Sequence, residues 1–226
     1  MRCAFAATLA LCTLAAAPGA WSQGQNQPSQ LSALPSAGRF DYEVVREGER
    51  IGSHSVVFRY EGDRLAIATR TDIAVEVLGI TLFRFRYEAD EEWVDGQLSR
   101  LASLTDNDGE RLTVNLARAG GRIRGACNGT VLDLPADLLP ISVWHPDFVR
   151  QSVIFDQYKC VTRNVRATDH GIESVFAGAQ NMAARRYAVT GEIRREIWYG
   201  PEGQTVRVLV PAKDGSEIAF VMRTPG

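Results

Sequence analysis

From Phe40 to Met222 apolar and polar residues alternate with a period of two, and glycine-bearing turns break the alternation at short intervals. A helix needs its apolar residues three and four apart, so this pattern predicts antiparallel strands that each bury one face. Phe40, Tyr42 and Val44 alternate with Asp41 and Glu43, and His54, Val56, Phe58 and Tyr60 share the face of a second strand. Leu65, Ile67, Ile73 and Val75 keep one parity of a longer strand that carries Arg64, Arg70 and Asp72 on the other. Phe83, Phe85 and Tyr87 oppose Arg84, Arg86 and Glu88, and the series Ile193–Ile197–Tyr199, Val206–Val208–Val210 and Ile218–Phe220–Met222 closes the chain. Turns such as Asn107-Asp108-Gly109 and Lys213-Asp214-Gly215 join neighbours in sequence, which is the signature of a meander. The expected fold is therefore all-β, one antiparallel meander of about 11–13 strands. A sheet with so many strands curls, which makes it a strongly curved sheet, a half-barrel or a barrel.

One stretch departs from this rhythm. Residues 133–151 hold Pro135, Pro140 and Pro146 without clean alternation. Pro146 followed by Asp147 suits the start of a short helix over 146–151. The segment 136–151 is expected to be a crossover that plugs one end of the sheet or covers one face.

The first residues have the form of an export signal. Arg2 precedes an apolar run from Ala4 to Ala17, and Ala20-Trp21-Ser22 offers a small-residue cleavage site. The run is too short for the roughly 20 residues that span a bilayer. The reading is a cleaved signal over 1–22, a polar disordered linker over 23–38 and a single β domain over 39–226, periplasmic or secreted and with no transmembrane segment once the signal is removed. Cys3 and Cys12 leave with the signal, so Cys127 and Cys160 are expected to pair in an oxidising compartment. That bridge would close a loop of roughly 33 residues and stabilise the fold by about 3 to 4 kcal/mol. With 25 Lys and Arg against 27 Asp and Glu, the chain lacks the basic excess of a nucleic-acid binder. All but two of the basic residues are arginine, the exceptions being Lys159 and Lys213.

Four segments in order, Ile51-Gly52-Ser53-His54, Glu92-Trp93-Val94-Asp95-Gly96-Gln97-Leu98, Val143-Trp144-His145-Pro146 and Ile197-Trp198-Tyr199-Gly200, together resemble a family of exported bacterial proteins. That family is catalogued only as a domain of unknown function, and the resemblance spans most of Phe40 to Arg223. It implies an all-β exported domain with a curved, barrel-like sheet of the kind found in periplasmic lipid carriers, and it brings no activity and no catalytic residues.

No local pattern announces chemistry. The three histidines His54, His145 and His170 are scattered without metal-ligand spacing, and there is no G-x-S-x-G nucleophile elbow. Glu91 and Glu92 are neighbours in a strand and point to opposite faces, so they read as structural. No metal, cofactor or catalytic residue is assigned. His54 stands on an apolar face, either as a satisfied core histidine or as a polar group in a ligand pocket. Phe58 shares its face, and Trp144 in the crossover is the tryptophan best placed to line a pocket. Arg84 and Arg86 read as a solvated outer face, or as anion-holding groups if the sheet curls so that they line a lumen. Three function classes follow. A carrier of a lipid or other amphipathic molecule requires an apolar pocket above about 300 Å³. An envelope assembly protein, pairing with a protein partner, requires a long unprotected sheet edge. A hydrolase requires a nucleophile or acid meeting a base. The carrier is the leading reading.

Overall fold

A computed structural model describes residues 38–178 and 180–223. The expected signal and the linker up to residue 37 lie outside the described residues. The chain forms strands β1 (Arg39–Arg46), β2 (Glu49–Glu61), β3 (Arg64–Val77), β4 (Ile80–Val94), β5 (Gln97–Asn107), β6 (Glu110–Ala119), β7 (Arg122–Cys127) and β8 (Thr130–Pro135). After these come β9 (Leu139–Pro140), β10 (Val153–Asp156), β11 (Val161–Ala177), β12 (Gln180–Gly191), β13 (Arg195–Tyr199), β14 (Thr205–Pro211) and β15 (Glu217–Met222). The fold is all-β, as expected. Among the described residues it has fifteen strands where the alternation predicts 11–13; β9 and β10, of two and four residues, are too short to show a period of two, and β8 alternates over only six residues before the prolines begin.

All fifteen strands belong to one sheet, in the order β8-β7-β6-β5-β4-β3-β2-β1-β15-β14-β13-β12-β11-β10-β9. Neighbours in space are thus neighbours in sequence, except that β1 pairs with β15. The first and last strands meet, and the sheet is interrupted in the middle of the chain, between β8 and β9, where no ladder hydrogen bonds form. The result is a single curved sheet that does not close on itself. Among the described residues six hairpins turn through two residues of positive φ: Glu47-Gly48, Leu78-Gly79, Asp95-Gly96, Asp108-Gly109, Gly120-Gly121 and Asn128-Gly129. Such turns match the right-handed strand twist and hold the register of a meander. Gly52 has a different task. It lies between Val44 and Ile73, and a Cβ there would fall on the Asp72 carbonyl oxygen, so β2 approaches β3 where β1 bulges at Val44–Val45 only because no side chain intervenes.

The chain between β9 and β10 is the crossover, and it does plug the sheet. Its helical part is one 3-10 turn over Pro146–Arg150, with Pro146 at its start and the His145 side chain accepting the Asp147 N–H. The expected helix thus exists in tighter form and stops at Arg150, with Gln151 as its cap. The Val143 carbonyl accepts hydrogen bonds from Tyr199 on β13 (2.9 Å) and from the Thr205 hydroxyl on β14 (2.8 Å). Trp144 packs edge-on against Phe58 on β2 and Trp93 on β4, with ring centroids 5.5 and 5.2 Å away. Adjacent residues of the crossover therefore touch opposite walls, which gives the curved sheet an internal floor.

Cys127, at the end of β7, is bonded to Cys160, in the turn before β11, with Cα atoms 6.1 Å apart. β7 is next to one free edge of the sheet, and the turn follows β10, which is next to the other. The disulfide therefore spans the seam. Among the described residues no helix is long and apolar enough to cross a membrane, a statement that does not bear on crossing by strands.

Candidate functional site

An antiparallel meander places alternate turns at the same end. The turns at Glu47-Gly48, Leu78-Gly79, Asp108-Gly109, residues 157–160 and Ala212–Ser216 therefore gather at one end of the curved sheet, opposite the floor. Between floor and turns lies a cavity of about 780 Å³. Its walls are Ile73 and Val75 on β3, Phe85 and Tyr87 on β4, and Val208 and Phe220 on β14 and β15. Its mouth carries exposed charged residues of the turns, Asp108, Lys159, Lys213 and Asp214.

Glu91 stands at the floor, 2 % exposed. Its two carboxyl oxygens accept hydrogen bonds from the Ser142 hydroxyl (2.7 Å) and from Trp93 Nε1 (2.9 Å). Burial raises its pKa, and those hydrogen bonds, with Trp144 Nε1 near the same carboxyl, offset part of the rise. Trp144 Nε1 itself has no partner in hydrogen-bond geometry. Beside this group the buried Gln157 amide donates to the Tyr87 hydroxyl (3.2 Å) and accepts the Ile141 N–H (2.9 Å). Apart from the Trp144 indole N–H, the polar groups of the floor named here are paired with one another, which holds the crossover in one position.

His54 faces the cavity from β2. Its Nδ1 is 2.8 Å from the Thr71 hydroxyl, and its ring lies between Tyr42 and Phe220, with centroids 5.3 and 5.5 Å away. Burial pushes its pKa down to about 4, and Asp41 draws it slightly back. The native state therefore refuses a proton that the unfolded chain accepts below about pH 6.5. Stability is complete above that value and is lost as pH falls through about 4. With a discount for the open side of the ring, the loss is about 2 kcal/mol. His54→Asn, which keeps a partner for Thr71, is expected to flatten the acid limb of the stability–pH curve in urea unfolding between pH 4 and 7. Parallel curves for parent and variant would refute the assignment.

Of the residues singled out from sequence, His54 and Trp144 both line the cavity. Phe58 does not: it is buried against Phe40 and beneath Trp144, so it supports the floor from outside the lumen. Arg84 and Arg86 do not face the lumen either. They keep the opposite parity to Phe83 and Phe85, which line it, and Arg86 Nε lies 3.4 Å from Asp72 on the outer face. Sequence reasoning missed Glu91 and Arg195, which also line the cavity. Both had the same signal as His54, a charged or titratable residue on the apolar parity: Tyr87, Ala89, Glu91, Trp93 on β4, and Ile193, Arg195, Ile197 leading into and along β13.

Over residues 42–223 the chain matches a family described as a domain of unknown function, DUF6134. Among solved structures it is similar to the β-barrel-like protein of the domain of unknown function DUF1849 from Brucella abortus. The TM-score is 0.59 and the identity 11 %, over 82 % of this chain and 95 % of that one. At that identity the likeness shows the fold alone. No curated protein matches.

Proposed function

We propose, on the premise that this chain belongs to the DUF6134 family of unknown function, that it is an exported carrier that binds an amphipathic molecule inside its curved sheet. The observation that carries this reading is the cavity of about 780 Å³, walled by aliphatic and aromatic side chains and bounded by a polar floor. Small-molecule sites have volumes of roughly 300 to 1,000 Å³ and few, placed polar groups. Each buried methylene of an acyl chain would contribute about 0.8 kcal/mol. Four of the six positive-φ hairpins carry Glu, Asp or Asn at the first turn position and one carries Gly120, whereas the hairpin between β3 and β4 carries Leu78, which is 97 % exposed. Ile80 and Leu82 beside it are exposed as well, so an apolar tip stands at the mouth where a greasy ligand would enter.

The competing readings have less support. Assembly by strand addition needs a long, unprotected edge. The edges here are β8, which ends in Pro135 and has Asp133 held by Arg122 and Arg124, and the two-residue β9. Short, charged, proline-bearing edges resist pairing. For a hydrolase, two hydroxyls stand beside a base: Thr71 at His54, and Ser142 at Glu91, where both residues are buried in the floor and the carboxyl also accepts the Trp93 N–H. An imidazole with a pKa of about 4 has little driving force to take a hydroxyl proton.

The test is native mass spectrometry of the protein exported by its own host, followed by organic extraction of whatever it carries. A stoichiometric amphiphile is expected, retained by Arg84→Ala on the outer face and lost on Phe220→Asp in the wall. A clean apo mass together with no uptake from an offered lipid extract would overturn the reading.

A further inference from the structure

The mouth of the cavity holds cations that the fold itself does not neutralise. Arg46, at the rim, is engaged by Asp214 and Ser216. Arg195, Lys159 and Lys213 are not: all three line the cavity, and none has an acidic group within ion-pair distance among the described residues. Arg195 is half-buried on the inner face of β13, one residue before the pair Glu196–Leu209. Val210 and Arg46 both pair with Ile218, so the register sets Arg195 at the level of the rim. Burial disfavours its charge, and only Tyr158 and Asp156 act against this. Asp156 is already engaged, 3.2 Å from Arg163. Lys159 and Lys213 are the only lysines in a chain that uses arginine at its 23 other basic positions, and both stand in turns at this mouth. The acids of the mouth that hold no cation, Asp108 and Glu110, belong to the β5–β6 hairpin on the other half of the sheet.

We infer that the carried molecule has an anionic head group, a carboxylate or a phosphate, held at the mouth by Arg195, Lys159 and Lys213 while its apolar body fills the cavity. This rests on the carrier reading and deepens it by naming the ligand class. A guanidinium in a partly desolvated wall binds such a group through charge-assisted hydrogen bonds, and two mobile ammonium groups at the rim complete the field. The role is the one that sequence patterning offers to Arg84 and Arg86, which the curl of the sheet turns outward.

The experiment measures binding of four probes to the full exported chain by calorimetry: dodecanoate, dodecyl phosphate, dodecanol and dodecyltrimethylammonium. Acetate and inorganic phosphate serve as heads without tails. One or both anionic amphiphiles are expected to bind about tenfold or more tighter than dodecanol, with the cation weakest and the free anions undetected. Whichever anion wins identifies the head. Arg195→Met, close to volume-conserving, and the surface pair Lys159→Ala with Lys213→Ala should each erase most of the anion preference, weakening the anionic amphiphiles far more than dodecanol. Equal binding of anionic and neutral amphiphiles, or variants that weaken both alike, would overturn the head-group inference and leave the carrier reading intact. Free anions binding as well as the amphiphiles would overturn it too, by showing a plain anion site. Failure of every amphiphile would remove the carrier reading and this inference with it.

Discussion

Cys127→Ala combined with Cys160→Ala is expected to lower the unfolding free energy by about 3 to 4 kcal/mol, and with it the melting temperature by roughly 6 to 16 °C. The first figure follows from releasing a closed loop of 33 residues in the unfolded chain. The native state adds a second consequence. That loop contains β8, β9, the crossover and β10, which together are both free edges of the sheet and the floor of the cavity. Without the bridge, noncovalent contacts hold the segment that leaves β8: Arg118 donates to the carbonyls of Leu98 on the neighbouring strand and of Ala136 (2.8 and 2.7 Å), and Leu138 and Leu139 pack into the main core. Hydrogen exchange should therefore rise first over residues 130–156, and ligand uptake should fall before global unfolding begins. Dithiothreitol added to the parent should reproduce both effects. A uniform rise in exchange across all strands would show instead that the bridge acts through the unfolded chain alone.

What the sequence reveals and conceals about this protein divides along one physical line. Period-two alternation reports which side of a strand is buried, so the all-β class, the meander and the outward set of Arg84 and Arg86 beside Phe83 and Phe85 can all be read from it. Curvature is not in the pattern, because a flat sheet and a curled one demand the same parity. Nothing local says that β1 pairs with β15, or that the interruption falls at β8 and β9, since both depend on contacts more than a hundred residues apart or on strands too short to show a period. The site shows the same division. His54 is conspicuous among Val56 and Phe58, whereas Glu91 is masked by Glu92: the two point to opposite faces and read as structural until the parity from Tyr87 to Trp93 shows that Glu91 is the one inside. Arg195 is masked by Arg194 in the same way. A charged residue on an apolar parity means a lumen or a buried partner, and the neighbouring like charge hides it.

Trp144→Ala should cost about 3 to 5 kcal/mol, the range for truncating a buried tryptophan, and should remove the floor from the cavity. Trp144 is 5 % exposed and wedged between Phe58, Trp93 and the ring of His145, so little around it can collapse into the space it leaves. Trp144→Phe separates volume from polarity. The indole Nε1 makes no hydrogen bond, so phenylalanine forfeits no partner and leaves a small void, and its cost should stay within about 1.5 kcal/mol. Loss of the indole in the alanine variant also widens the cavity beside the Glu91 carboxyl and admits water to it. Solvation favours the ionised form, so the raised pKa of that group should relax toward the usual carboxylate range. Urea unfolding of both variants checks the energetics, and the same curves taken from pH 4 to 8 check the carboxyl. In the parent the contribution of Glu91, opposite in sign to that of His54, is fully present at low pH and lost as pH rises through its folded pKa, because the native state holds a proton the unfolded chain has released. That alkaline decline should shrink in Trp144→Ala and persist in Trp144→Phe. If the alanine variant costs under about 1 kcal/mol, the crossover is a loosely laid strap and the cavity has no fixed floor. If the phenylalanine variant costs as much as alanine, the indole N–H is bound to Glu91 in solution and the floor is held by polarity as much as by packing.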